Sequence, residues 1–192
     1  NDAADSWEPR IAAFNGTVAI VWYSYSLSNS SYEVYFSELS GDSFSSPLMI
    51  SSAGSDSKCP SISIGDKGIH VAWEDFRDGN DEIYVASRAI GSTSIWTEER
   101  VTTDPADSFG ASIASDNSNV YVSWFDYRDK VDQIYAAQKT ILISAEKRSK
   151  DQLSPHITIS PNPFNNRTSV VAHGISGQIC YKLSDISGKS VV

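Results

Sequence analysis

Two acid–arginine pairs set at one spacing are the side chains in this sequence best suited to chemistry. Asp75 and Arg77 stand two residues apart and are followed by Glu82, while Asp126 and Arg128 repeat the pair with Gln133 in place of the second acid. Positions two apart on a strand share a face, so Asp75 and Arg77 are expected side by side, with Glu82 opposite Asp75. An acid pair with an arginine between could grip a sugar or assist hydrolysis. The repetition argues for a different use, because a group present in successive units suits holding each unit together better than running a single-site reaction. The repeat is imperfect, with Ser24 and Ser26 at the corresponding places upstream. No catalytic residue is assigned from these pairs.

The remaining candidates are weaker. Asp78, Asn80, Asp81 and Glu82 carry oxygens suited to Ca²⁺, but their spacing is not that of an EF-hand loop. A solvated hairpin end is expected there, and no metal or cofactor is assigned. His70, His156 and His173 are scattered, none with a Cys or second His nearby, so neither a zinc site nor a triad is expected. Cys59 and Cys180 lack metal-ligand spacing and fall in different expected domains; they read as two small buried residues rather than a disulfide.

The elements that hold these residues are legible from recurrence. Trp73 to Tyr84 reads W-E-D-F-R-D-G-N-D-E-I-Y, Trp124 to Tyr135 reads W-F-D-Y-R-D-K-V-D-Q-I-Y, and a weaker copy runs from Trp22 to Tyr35. The tryptophans are 51 residues apart in both steps, a period that belongs to repeat architectures. Asp78-Gly79 has the chemistry of a two-residue hairpin loop, and a turn centred there sets Trp73 opposite Tyr84. Centring the other copies on Asp129-Lys130 and Ser28-Asn29 pairs Trp124 with Tyr135 and Trp22 with Tyr35. Such aromatic pairs bury about 150–250 Å² per residue.

Each unit opens with a short strand (10–13, 61–64, 112–115), continues through a Trp strand and a Tyr strand, and has a plausible fourth strand at 48–51 and 99–102. Short strands with turns at regular intervals and no helical period predict an all-β array. Four strands in about 50 residues match a β-propeller blade. Closed propellers have about 4 to 8 blades, so further blades are expected upstream of Asn1, or the units form an open array.

Charge divides the chain. The total is −9, which disfavours nucleic-acid binding. Residues 1–140 hold 9 basic and 21 acidic side chains, whereas residues 141–192 hold 6 and 3, a reversal that marks a boundary. The expected organisation is a partial propeller over 1–143, a polar linker over 144–156 and a second unit over 157–192. No apolar run approaches the length needed to span a bilayer, and the start at Asn1 without Met or signal peptide suggests a mature or truncated product.

The W-x-D-x-R…(D/E)-x-I-Y pattern resembles the blades of sialidase-like propellers from secreted bacterial proteins. That family carries an Asp-box, S-x-D-x-G-x-T-W. Ser37 to Phe44 keeps its Ser, Gly and aromatic but has Leu39 at the Asp position, Ser87 to Trp96 is looser, and the third unit lacks it. Beyond the linker, Pro161-Asn162-Pro163-Phe164-Asn165, a Gly177 turn and Asp185-Ile186-Ser187-Gly188-Lys189 resemble the C-terminal sorting domain of type IX secretion cargo. The resemblance implies the start of an immunoglobulin-like sandwich, truncated after about 36 residues, that docks on the type IX machinery. The two resemblances together imply a secreted or outer-membrane surface protein that binds or displays an extracellular glycan or protein. The rival expectation is a sialidase-type glycoside hydrolase whose catalytic residues lie mostly in other blades. A sialidase needs three arginines on the substrate carboxylate; Arg10 has a suitable place, but Ser61 and Ser112 stand at the equivalent positions.

Overall fold

The computed structural model describes residues 5–92 and 96–140, together with the backbone of two short strands at 156–160 and 169–173. Among the described residues every regular element is a strand. The first blade comprises β1 (Ser6–Phe14), β2 (Thr17–Ser26), β3 (Ser31–Ser40), β4 (Ser43–Phe44) and β5 (Leu48–Met49). The second comprises β6 (Ser57–Gly65), β7 (Gly68–Asp75), β8 (Glu82–Arg88) and β9 (Thr97–Arg100), and the third β10 (Ser108–Ser115), β11 (Asn119–Asp126) and β12 (Gln133–Thr140). Within each blade consecutive strands pair antiparallel in sequence order, except that β5 returns to pair with β3, the meander expected where short hairpin connections join neighbours.

Alternation sorts each blade into two apolar faces. Ala19, Val21, Val34 and Phe36 on one face of the first blade pack against Ile69, Val71, Trp73 and Tyr84 of the second. Ala72, Ile83 and Val85, on the second blade's opposite face, meet Val120, Val122, Trp124 and Tyr135 of the third. In the second and third blades the Trp face therefore lies on the blade before it, and the blades stack as in a propeller. Across the first seam the Arg88 guanidinium lies over Phe36, 4.8 Å from the ring centre, and pairs with Glu38. Lys139 pairs with Glu99 across the second.

The pairing registers place Trp22 opposite Tyr35, Trp73 opposite Tyr84 and Trp124 opposite Tyr135. Each couple stacks, with ring centres 6.0, 6.3 and 6.2 Å apart. The loops differ from expectation. Asp78-Gly79 is not a two-residue hairpin turn, because pairing ends at Asp75 and Glu82 and leaves residues 76–81 as the loop. Residues 127–132 form the matching loop in the third blade. Inner strands begin about four residues earlier than expected, since each contains a register shift, between Trp7 and Arg10, Lys58 and Ser61, and Phe109 and Ser112. Inside each shift one residue takes a positive φ: Glu8, Cys59 and Gly110, the mark of a β-bulge. The fourth strands also differ in extent, β5 stopping at Met49 and β9 spanning Thr97–Arg100.

Beyond the blades, β13 (His156–Ser160) and β14 (Ser169–His173) pair as an antiparallel hairpin. The expected linker boundary, Pro161, Asn162, Pro163, Phe164, Gly188 and Cys180 lie outside the described residues.

Candidate functional site

The acid–arginine pairs close a circuit within each of the last two blades. Asp75 ends β7 and is fully buried. It accepts from Trp73 Nε1 at 2.9 Å, Ser57 Oγ at 2.7 Å, the Arg77 amide at 3.0 Å, and Arg77 Nε and Nη2 at 2.8 and 2.6 Å. Arg77 is not on a strand beside Asp75; the chain turns at the carboxylate, as Asx side chains cause it to do, and Arg77 folds back over the Tyr84 ring at 4.0 Å. Trp donates to Asp, Asp pairs with Arg, Arg covers Tyr, and Tyr stacks on Trp. The third blade repeats this: Asp126 accepts from Trp124, Ser108 and Arg128, and Arg128 lies 4.3 Å from the Tyr135 ring centre. Burial alone would raise the pKa of Asp75 and Asp126, but the donors, led by the arginines, outweigh it and hold both carboxyls below their usual range. In the first blade Ser24 replaces the acid and donates to the Asp5 carbonyl at 2.8 Å.

Glu82 pairs with Asp75 in the register but serves a separate network. Fully buried, it accepts from Arg100 at 2.6 Å, Asn80 at 2.9 Å and the Thr102 hydroxyl, fastening β8 to the strand beyond it. Asp78 accepts from the Tyr84 hydroxyl at 2.6 Å and pairs with Arg100 at 3.1 Å. The loop read as an oxygen-rich hairpin end is thus tied to its own blade and, through Asn80 and Asp81, to residues 104–108 that lead into the third, and no group of three metal-ligating side chains occurs among the described residues. In the first blade Glu33, which sequence reasoning missed, is fully buried with Ser31 Oγ at 2.7 Å, Ser51 Oγ at 2.6 Å and the Gly54 amide at 3.2 Å. Its position matches Glu82 less closely than the 51-residue step requires, which hid it.

Among the described residues the arginines do not converge. Arg10 sits 3.6 Å from Glu8, Arg77 holds Asp75 and Glu98, Arg88 holds Glu38, Arg100 holds Glu82 and Arg128 holds Asp126. His70 is buried between the second and third blades, its Nδ1 2.8 Å from Ser87 Oγ and its Nε2 without a hydrogen-bond partner. Burial, with Lys139 nearby, pushes its pKa down to about 4. Cys59 is half-buried rather than enclosed, and its thiol donates to Glu74 Oε1 at 3.1 Å; burial and that carboxylate push its pKa far up, away from nucleophilic use.

What remains open lies at the seam of the first two blades. A groove of about 510 Å³ is bounded by Ser30, Ser31, Ser52, Ser55, Asp56 and Phe76, and Phe76 is 50% exposed. Asp56 links the groove to a set of touching rings: Lys58 pairs with Asp56 at 2.7 Å and lies over Tyr32 at 4.7 Å. Tyr32 contacts Trp7, Tyr23 and Tyr25 edge-on, and Trp7 stacks on Tyr23 at 5.6 Å. Hydroxyls beside flat apolar rings suit a ligand that is polar at its edges and apolar on its faces. Sequence reasoning missed these rings, although a signal existed, since Tyr25, Phe76 and Tyr127 recur at the same 51-residue step and Tyr127 is 47% exposed.

No family model matches the chain, and no curated protein matches it. Solved structures similar to it include an endo-arabinase from Bacteroides thetaiotaomicron, 17% identical with a TM-score of 0.47, the alignment covering 74% of this chain and 58% of that one. Another is an alpha-L-arabinofuranosidase from Podospora anserina in complex with cellotriose, 12% identical with a TM-score of 0.46, covering 73% and 48%. A third is a GH43 endo-arabinanase from Bacillus licheniformis, 9% identical with a TM-score of 0.46, covering 96% and 76%. The chain thus spans about half the length of the first two.

Proposed function

We propose that this chain is an extracellular binding platform of sialidase-like propeller blades, whose ligand, a glycan or a protein segment, lies in the seam groove and against the adjoining rings. The observation that carries this reading is the contrast between the two sets of side chains. Carboxylates at the blade corners are fully buried and occupied by donors, so they have no free lone pair facing a substrate, whereas Phe76, Ser30 and Ser52 are open. Binding needs only the second set. Hydrolysis of sialosides needs an arginine cluster on the substrate carboxylate, and each described arginine already holds an acid of its own.

Delivery to the cell surface belongs to the same proposal and rests on the P-N-P-F stretch and the D-I-S-G-K segment that contains Gly188, through which residues 157–192 would engage the type IX machinery. Two experiments separate the parts. Titration of the protein with extracellular oligosaccharides and with glycosylated peptides should show saturable binding that Phe76→Ala weakens about tenfold, the loss of one stacking contact; binding indifferent to that substitution would refute the groove. Deleting residues 157–192 in the native host should strand the protein in the periplasm with its blades folded, and normal export of the deletion would refute the sorting role.

A further inference from the structure

The first blade keeps the buried acid of the second but not the arginine that answers it. Tyr84 pairs with Arg100 between β8 and β9, and Tyr35 pairs with Met49 between β3 and β5, so Met49 stands where Arg100 stands one blade on. The rest of the network is retained. Asn80 and Thr102 bond Glu82, and Asn29 and Ser51, at the corresponding places, bond Glu33 at 3.3 and 2.6 Å. Glu33 is fully buried, yet its donors among the described residues, completed by Ser31 and the Gly54 amide, are all neutral. A buried carboxylate is ordinarily paired with a cation, as Glu82 is with Arg100 at 2.6 Å.

Ser31 and Gly54, which bond Glu33, are also walls of the seam groove, so this acid lies directly behind the groove surface. The other charges there do not balance it: Asp56 holds Lys58, and Arg77 is shared between Asp75 and Glu98. Acids therefore outnumber bases around the groove, and Phe76 lays an open ring beside them. A ring face next to surplus negative charge suits a guanidinium, which stacks flat on aromatic rings and is attracted by their faces. We propose that the occupant of the groove is an extended peptide segment whose arginine lies on Phe76 and faces the Glu33–Asp56 side, bringing from outside the charge that Arg100 supplies within the second blade. This rests on the groove reading above and narrows it, since a neutral glycan would leave the surplus charge unmatched.

The test titrates the full chain, at low ionic strength, with a short glycine–serine peptide built around one arginine and with its citrulline analogue, which keeps the shape and loses the charge. The citrulline peptide should bind about tenfold more weakly, and added salt should weaken the arginine peptide. Met49→Arg should build the second blade's pair into the first and weaken the arginine peptide by about the same factor, as should Glu33→Gln. Asp66→Asn changes the net charge equally, but in the turn at the other end of β7 from Phe76, and should leave binding as it was. Circular dichroism checks each fold, and Met49→Arg, at a partly exposed position, decides the matter if Glu33→Gln does not fold. Equal affinity for the two peptides, or an arginine peptide indifferent to Met49→Arg, overturns the proposal. If a neutral oligosaccharide then binds and Phe76→Ala weakens it, the groove reading stands and only the peptide assignment falls; if Phe76→Ala affects neither peptide nor saccharide, both fall.

Discussion

At the scale of the residue, a blade corner is held by four side chains acting as one unit, so losses there should be large and non-additive. Trp73→Ala removes a fully buried ring and is expected to cost about 3–5 kcal/mol in denaturant unfolding. Asp75→Ala leaves the Trp73 and Ser57 donors and the Arg77 guanidinium facing a void and should cost about 3 kcal/mol. Pairing it with Arg77→Leu should cost less than the sum of the two single changes, and a strictly additive double mutant would show that the pair is not coupled. The partners of the circuit were legible in the sequence because their types and the 51-residue step repeat. Its geometry was not: a strand rule placed Arg77 beside Asp75, whereas the carboxylate itself ends the strand by accepting the Arg77 amide. Glu33 escaped notice because it stands off the 51-residue step that relates the other buried acids.

The element scale shows where periodicity stops being informative. Alternation of apolar and polar residues located the Trp and Tyr strands to within a few residues, and the aromatic couples fixed their registers. The bulges in the inner strands left no comparable trace, because the residue carrying the positive φ is Glu8 in one blade, Cys59 in the next and Gly110 in the third. Only the last announces the need. At Gly110, φ is +64° and an added Cβ would stand 2.9 Å from the Phe125 ring, so Gly110→Ala is expected to lower stability by about 1–3 kcal/mol. An unchanged thermal melt would mean that the third bulge has room to spare. The seam groove was likewise invisible to strand logic, being assembled from two loops and a connector that meet only when blades stack.

For the whole molecule, cohesion between blades sets the response to acid. His70 stands in the second seam with its pKa pushed down to about 4 from 6.5. The unfolded chain therefore takes up a proton that the folded one refuses as pH falls from 6.5 towards 4, and stability drops across that window by at most about 3 kcal/mol. Asp75 and Asp126, held below their ordinary value of 3.8, contribute stability that is present above that value and is lost as pH falls through their lower folded pKa values. Two successive losses are thus expected in melts against pH, and His70→Leu should remove the first alone; a profile unaltered by that change would place the first loss elsewhere. The matching registers carry a cost of a different kind. Trp73 would find the same stacking partner, the same hairpin spacing and the same flanking isoleucine in Tyr135 as in Tyr84, so while the chain is still collapsing β7 can be claimed by the wrong blade. Near-identical neighbours invite such exchanged strands, and refolding from denaturant should be faster and cleaner when one copy of the motif is made less like the other.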